Sequence, residues 1–337
     1  MLAGAEAGGQ YSNRKGPKRN MADAWTIGII GGSGLYAIDA LEEAQWIAVD
    51  TPWGTPSDAL LTGRIEGVKF VFLPRHGRGH WIPPTELNNR ANLDALKRAG
   101  CTDIIAISAV GSLREDLAPG RFVIIDQYID RTIARANSYF GPGLVAHVSM
   151  ADPVCPRLSA LAADAAEAAG AEAIRGGCYI AIEGPQFSTR AESRVYRDWG
   201  GDVIGMTGMP EARLAREAEL PYASICMVTD WDSWREDEAG VDVAFIVAQL
   251  HANAGTARRL IVELARSLPK ARAPSPIDTA LDGAILTAPE ARDPAAIARL
   301  DAILRSRPRR DFMSLGFRLP TLTVDGFRRL AASLEYG

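Results

Sequence analysis

The chain has 337 residues, 47% of them hydrophobic, which is enough for one large α/β domain or two smaller ones around a sizeable core. A formal net charge of -4 and a pI near 5.7 exclude the global basic field that nucleic acid or an anionic membrane surface would require. No apolar run is long enough to cross a bilayer, and Arg14, Lys15, Lys18 and Arg19 are followed by no apolar stretch of a secretory signal.

Residues 1–22 are expected to be a disordered leader, with Met21 as an alternative start. Cys101, Cys155, Cys178 and Cys226 lie far apart with no CxxC pair, so free thiols in a reducing compartment are expected. His76 and His80 are separated by Gly77 and Gly79, which argues against a helical metal-binding pair. Neither a metal nor a cofactor is predicted, and the expected location is cytoplasmic.

In chain order, Trp25–Leu35 reads as a short strand running into a glycine-rich turn, Gly31-Gly-Ser-Gly34. Such a turn suits either a plain reversal or the close approach of an anion to backbone N–H groups and the Ser33 hydroxyl. No Lys follows, so it is not a Walker A loop. Phe70–His80 repeats the pattern, a strand with Arg75, His76 and Arg78 at its exit, and both arginines offer forked donors to an oxyanion. Glu86–Ala99 reads as an amphipathic helix closed by Gly100. Asp103–Ser112 is a third strand, and Gly120–Asp130 a fourth.

Pro156–Ala169 is an Ala-rich helix stopped by Gly170. Cys178–Ile182 is a strand leading into Glu183-Gly-Pro-Gln-Phe-Ser-Thr-Arg190 and a helix carrying Glu192. Asp202–Met206 is another strand, followed by a helix with Pro210 at its first position that runs to about Leu220. Tyr222–Val228 is an apolar run of the kind buried on both faces of a parallel sheet, ending in Thr229-Asp-Trp-Asp232. Ligands in open α/β sheets bind outside the carboxyl ends of strands, although Asp is also an ordinary turn former. Val241–Leu268 reads as a long helix.

The alternation predicts a single α/β domain over residues 23–270, with a mixed, mostly parallel central sheet flanked by helices. Residues 271–337 are expected to form a partly disordered extension with one short helix, capped by Asp293-Pro294 and reaching about Leu304. The basic run Arg305–Arg310 reads as a solvated tail or as an anion site.

Three strand exits (Gly31–Gly34, Arg75–His76, Ser108–Ser112) bring hydroxyls, backbone N–H groups and guanidinium, which suits a free phosphate or sulfate. A second set, Phe187, Ser188, Met206, Asp230 and Asp232, brings an aromatic face, a thioether and two carboxylates, which suits a planar nitrogen heterocycle. No nucleophile elbow, Cys/His pair or metal-ligand set accompanies them. A phosphate site beside a base site points to phosphate itself as the nucleophile.

These motifs, among them IGIIGGSGL (27–35), RHGRGHWIPP (75–84), IEGPQFSTRAES (182–193), MTGMPEARLAREAELPYASI (206–225) and TDWDSW (229–234), resemble the trimeric purine nucleoside phosphorylase family over about residues 25–268. The likeness is strongest to the branch taking 5'-methylthio nucleosides. It implies phosphate-dependent cleavage of 5'-methylthioadenosine to adenine and 5-methylthioribose 1-phosphate, with inorganic phosphate as co-substrate, by a homotrimer or a multiple of it. By the same resemblance, Ser33, Arg75, His76, Ser108, Ala109 and Thr207 correspond to phosphate-binding positions, Ser108 and Ala109 lying on a loop that also touches ribose. Met206 lies beneath the ribose, Phe187 and Ser188 lie beside the base, and Asp230, with Asp232 nearby, holds N7 and the 6-substituent. Val243 and Ile246 correspond to the apolar 5'-pocket. His147 matches a residue donated by a neighbouring subunit, and Leu286 aligns loosely with another.

The chemistry agrees with that transfer. Cleavage builds positive charge on the sugar, which a phosphate dianion offsets, and negative charge on the purine, which a proton at N7 offsets. A protonated Asp230 can donate to N7 and accept from a 6-amino group, whereas a 6-oxo base requires a donor such as Asn. The alternatives are a phosphorylase of ordinary purine nucleosides or 5'-methylthioinosine, a hydrolytic nucleosidase, and a nucleoside-binding protein without turnover.

Overall fold

Nearly every apolar run named above becomes a strand of one sheet, because each is flanked by glycine, proline or aspartate and buries its side chains on both faces. The computed structural model describes residues 24–304 apart from 33, 36, 37 and 236–242. The leader, the acidic stretch after Arg235 and the basic Arg305–Arg310 run therefore lie outside the described residues.

The first half of the chain contains β1 (Thr26–Gly31), β2 (Glu42–Ile47), β3 (Leu60–Ile65), β4 (Val68–Pro74), α1 (Asn89–Arg98), β5 (Asp103–Ser112), β6 (Phe122–Ile125) and β7 (Gln127–Arg131). There follow α2 (Pro156–Ala168), β8 (Ala173–Arg175), β9 (Cys178–Ile182), α3 (Arg190–Asp198), β10 (Val203–Gly205), α4 (Gly208–Glu217), β11 (Tyr222–Asp230) and α5 (Val243–Ser267). Two short helices, α6 (Pro294–Arg299) and α7 (Asp301–Leu304), close the described chain. Among the described residues, no helix is long and apolar enough to cross a membrane.

The strands run β2-β3-β4-β1-β5-β10-β9-β7, with β11 pairing β5 and β6, and β6 pairing β8. Parallel pairing joins β1 to β4 and β5, β5 to β11, β9 to β7 and β10, and β6 to β8; the other pairs are antiparallel. β5 is the hub. It pairs with β1 through Asp103–Ala106, with β11 along most of its length, and with β10 at Gly111 and Ser112.

Two apolar layers cover the sheet. One collects Leu93 and Leu96 of α1 with Ala212 and Leu214 of α4; the other collects Leu158 of α2 with Leu260, Ile261 and Leu264 of α5. Local chemistry sets the helix ends. The Asn88 side chain accepts from Ala91 N to start α1, while Gly100, at φ +88, stops it in a conformation costly for other residues. Thr189 and Glu192 form a capping box on α3.

Some expectations meet a different structure. Gly120–Asp130 is not one strand: it breaks at Asp126, where the chain leaves β11 and β8 for β9. The expected extension after residue 270 carries more than one short helix, and much of it packs into the body. Ile277, Leu281, Leu300 and Ile303 are buried, Arg272 pairs with Asp103 and Asp278, and Arg98 reaches Asp301. All four cysteines are free; Cys101, Cys155 and Cys226 are buried and Cys178 is partly so.

Candidate active site

The strand order sets the carboxyl ends of β1 and β4 against the middle of β5 and places β11 along β5; Ser108–Ser112, expected as a strand exit, is still paired as part of β5. Arg75 follows β4 and is sealed from solvent at 2% exposure. Its Nη1 donates to Ile107 O at 3.0 Å and its Nη2 to Ile30 O at 3.3 Å, so the guanidinium bridges the middle of β5 and the end of β1. Its forked edge faces Glu211 of α4, with Nε to Oε2 at 3.0 Å and Nη2 to Oε1 at 3.1 Å. Tyr222 donates to the same Oε1 at 2.7 Å.

The fork expected to grip an oxyanion is therefore occupied. Four of the five guanidinium N–H groups have protein partners, leaving one Nη1–H without a partner among the described residues. The Arg78 fork is likewise taken, by Asp58 at 2.9 Å on both nitrogens, with the guanidinium stacked on Trp46. This pairing removes it from any two-point grip on an anion.

Ser108 and Thr207 meet beside this point. Their hydroxyl oxygens are 3.2 Å apart, joining β5 to the start of α4, and the Thr207 N–H donates to the Tyr179 hydroxyl at 3.3 Å. Ala109, the next residue of β5, is partly exposed opposite Met227. His76 donates from Nδ1 to Ile82 O at 2.9 Å, since a carbonyl can only accept. Burial, with Arg75 and His80 nearby, pushes its pKa down to about 4, so near neutral pH the ring is uncharged and Nε2 is an acceptor. Ser33 lies outside the described residues; its neighbour Gly31 accepts the Arg75 N–H at 2.9 Å.

The base-type residues gather at the end of β11. A register shift between Val228 and Asp230 puts Asp230 opposite Gly111 of β5. The approach is close: a Cβ on Gly111 would sit 3.0 Å from Asp230 Oδ1 and 3.2 Å from Asp232 Cβ, so a larger residue would press on both carboxyl-bearing side chains. Thr229 Oγ1 lies 2.8 Å from Asp230 Oδ2, and the Asp232 N–H donates to Asp230 Oδ1 at 2.8 Å. Burial raises the Asp230 pKa against the pull of these two bonds. Burial raises Asp232 further, to about 6, with a small addition from Asp230. Asp232 sits at φ +50, and its Oδ2 is buried without a hydrogen-bond partner among the described residues. The Ser193 hydroxyl approaches this carboxyl without completing a hydrogen bond.

Ser188 is buried and its carbonyl accepts from Ser233 Oγ at 2.8 Å, which ties the 183–190 loop to the Asp232 turn; Phe187 stays half exposed. Met206 follows β10, its sulfur packed so close to Gly184 that a Cβ there would come within 2.5 Å. Ile246 stands partly exposed in the first turns of α5; the Val243 side chain lies outside the described residues. His147 and Leu286 are both exposed and sit on one antiparallel bridge, Ala146 with Ile285, through His147 N to Ala284 O and Leu286 N to Val145 O, each at 2.9 Å. The pleat turns Ala146 and Ile285 onto the core and the two flanking residues outward.

Three polar residues were not singled out from the sequence: Glu211, Ser193 and Arg135. Glu211 lay inside the quoted MTGMPEARL motif, but a carboxylate on a helix gives no sign of a partner 136 residues away.

A buried cation and paired hydroxyls at one set of strand ends, and two desolvated carboxyls at the next, define a site of the nucleoside phosphorylase type. Residues 26–266 match the model of the phosphorylase superfamily. The S-methyl-5'-thioadenosine phosphorylase of Cereibacter sphaeroides is 58% identical over 279 residues, covering 82% of this chain and 96% of that one. A methylthioadenosine phosphorylase from an Antarctic soil metagenomic library superposes with TM-score 0.79 at 44% identity, covering 84% and 99% of the two chains. The Schistosoma mansoni methylthioadenosine phosphorylase in complex with adenine gives TM-score 0.69 at 36% identity, again over 84% and 99%. The chain belongs to the phosphorylase superfamily and, within it, to the family of these methylthioadenosine phosphorylases, the nucleoside phosphorylases that transfer a pentosyl group.

Proposed function

We propose that the protein cleaves 5'-methylthioadenosine with inorganic phosphate, giving adenine and 5-methylthioribose 1-phosphate. The observation that carries this reading is the pair Asp230 and Asp232, held out of water at the end of β11 with raised pKa values. A carboxyl that keeps its proton can donate to N7 while accepting from a 6-amino group, which favours adenine over a 6-oxopurine.

Phosphate is held by the Ser108 and Thr207 hydroxyls, the remaining Arg75 N–H and the glycine turn carrying Ser33. Ala109 lies beside it. The neutral His76 uses Nε2 as an acceptor for a protonated phosphate oxygen. Met206 supports the sugar, Phe187 and Ser188 flank the base, and Val243 with Ile246 shelters the methylthio group, where a 5'-hydroxyl would lose its water partners. Neither a metal nor an organic cofactor is required, because phosphate supplies the nucleophile.

The subunits assemble as a homotrimer or a multiple of it, with His147 and Leu286 reaching the neighbouring site. The protein works in the cytoplasm, returning adenine and the methylthio sugar to purine and methionine salvage. The direct comparison is kcat/KM for 5'-methylthioadenosine, 5'-methylthioinosine and adenosine, with sedimentation to fix the assembly. A preference for 5'-methylthioinosine, or for adenosine, contradicts the substrate assignment, and a monomer contradicts the shared site.

A further inference from the structure

The loop after β7 carries a guanidinium whose five N–H groups are all used. The Arg135 side chain is 3% exposed. Its Nε donates to Glu183 Oε1 at 2.7 Å, its Nη1 to Met206 O at 2.6 Å and Met209 O at 2.8 Å, and its Nη2 to Glu183 O at 2.5 Å and Ile182 O at 3.4 Å. Glu183 is held in turn, its Oε2 accepting the N–H groups of Ile133 and Ala134.

The place matters. The parallel ladder between β9 and β10 stops at Ala181 and Gly205, immediately before the residues that carry the proposed sugar contacts. Past that point Arg135 substitutes for the ladder: one rigid, planar group takes two carbonyls from the β9 exit and two from the segment that begins α4. A Lys ammonium, with three donors and no plane, cannot hold four carbonyls and a carboxylate together.

We propose that Arg135 is a positioning residue for the sugar side of the site, fixing Met206 and Thr207 against the Glu183–Ser188 loop. This inference rests on the functional reading above. Met206 Sδ packs on Gly184 within the same clamp, and the Thr207 hydroxyl meets Ser108 at 3.2 Å, so a shift of the clamped backbone displaces both. Asp230 ends β11 and is anchored separately, through the Thr229 hydroxyl and its seat against Gly111, while Asp232 follows in the turn that Ser233 ties to the Ser188 carbonyl.

The test compares Arg135→Lys and Arg135→Gln with Glu183→Gln, measuring kcat on the purine nucleoside that the wild type cleaves and the dissociation constant of adenine. The Arg135 variants are expected to lose about 100-fold in kcat, the scale of an ångström-sized misplacement, while adenine binding, to which the clamped loop contributes only Phe187 and Ser188, weakens by less than about tenfold. Glu183→Gln keeps all four carbonyl bonds and is expected to lose less than about tenfold.

Arg135 variants with kcat close to wild type overturn the proposal. So does equal loss of kcat and adenine binding, or failure of both Arg135 variants to fold, since either assigns Arg135 to general stability. Loss in Glu183→Gln as deep as in the Arg135 variants places the effect in the ion pair and also overturns it. If the wild type cleaves a nucleoside other than 5'-methylthioadenosine, the substrate reading fails, and the clamp is judged on that nucleoside by the same ratios.

Discussion

Arg75 and Glu211 form a two-point ion pair in the floor of the site, 2% and 1% exposed, with Tyr222 as a third member. The pair has two consequences. It turns the fork of Arg75 away from an incoming anion, and it balances a charge that would otherwise be costly to bury. Arg75 thus gives an anion one hydrogen bond, and the rest of the grip falls to hydroxyls and backbone.

Removing one partner alone leaves a buried charge unpaired. Glu211→Ala is expected to cost about 3–5 kcal/mol, which lowers Tm by on the order of 10 °C. The double variant Arg75→Met/Glu211→Leu is expected to regain most of that stability, while the KM for phosphate rises beyond measurement. Calorimetry and phosphate titration separate the two effects. A double variant with normal phosphate kinetics removes Arg75 from the phosphate site.

Ser108 and Thr207 share one hydroxyl–hydroxyl contact, so either can turn a donor towards an anion. Ser108→Ala and Thr207→Val are each expected to raise the KM for phosphate by about tenfold, the loss of one hydrogen bond to a charged acceptor. The KM for the nucleoside should rise less in Ser108→Ala. A rise in the nucleoside constant with the phosphate constant unchanged would place Ser108 on the sugar alone.

The proposed role of Asp230 is to select the base. Asp230→Asn replaces a carboxyl by a group that donates to a 6-oxo substituent and cannot supply a proton to N7. The ratio of kcat/KM for 5'-methylthioadenosine to that for 5'-methylthioinosine is expected to fall by about 100-fold or more, combining loss of acid catalysis with a donor facing the 6-amino group. An unchanged ratio refutes the role.

Asp232 links the site to stability. Its folded pKa, raised to about 6, lies above that of an unfolded aspartate, so the native state favours the protonated form. That contribution is complete below about pH 4 and disappears as pH rises through about 6, at most roughly 3 kcal/mol. Asp232→Asn is therefore expected to be more stable than wild type at pH 7.5, with the gap closing towards pH 4. His76, lowered to about 4, has the opposite slope over the same interval and cancels in the comparison. A gap independent of pH contradicts the buried-carboxyl account.

The sequence made several strand exits legible because the apolar run stops at a residue with its own turn chemistry: Gly31, Pro74, Asp230; at Gly111 the run stops but β5 continues through Ser112. It did not reveal β2 and β3. EEAQWI is largely exposed in an edge strand, and LLTGRI is interrupted by Gly63, so neither shows a clean period. The break at Asp126 depends on which neighbour the chain pairs with, and no local property fixes that. Segment 276–304 lacks a long helix, yet its Asp278 pairs with Arg272, which in turn pairs with Asp103, and its Asp301 pairs with Arg98 of α1. The same limit applied within the site. Arg75, Thr207 and Asp230 were visible as polar residues at strand ends and Ser108 as a hydroxyl in an apolar strand, but the bonds that decide what Arg75 offers, and the clamp of Arg135, join residues distant in sequence.

The most direct measurement is adenine release from 5'-methylthioadenosine with and without inorganic phosphate. Release that requires phosphate, with 5-methylthioribose 1-phosphate as co-product, is the predicted result. Equal release without phosphate would make the protein a hydrolase and contradict the phosphate site built around Arg75, Ser108 and Thr207.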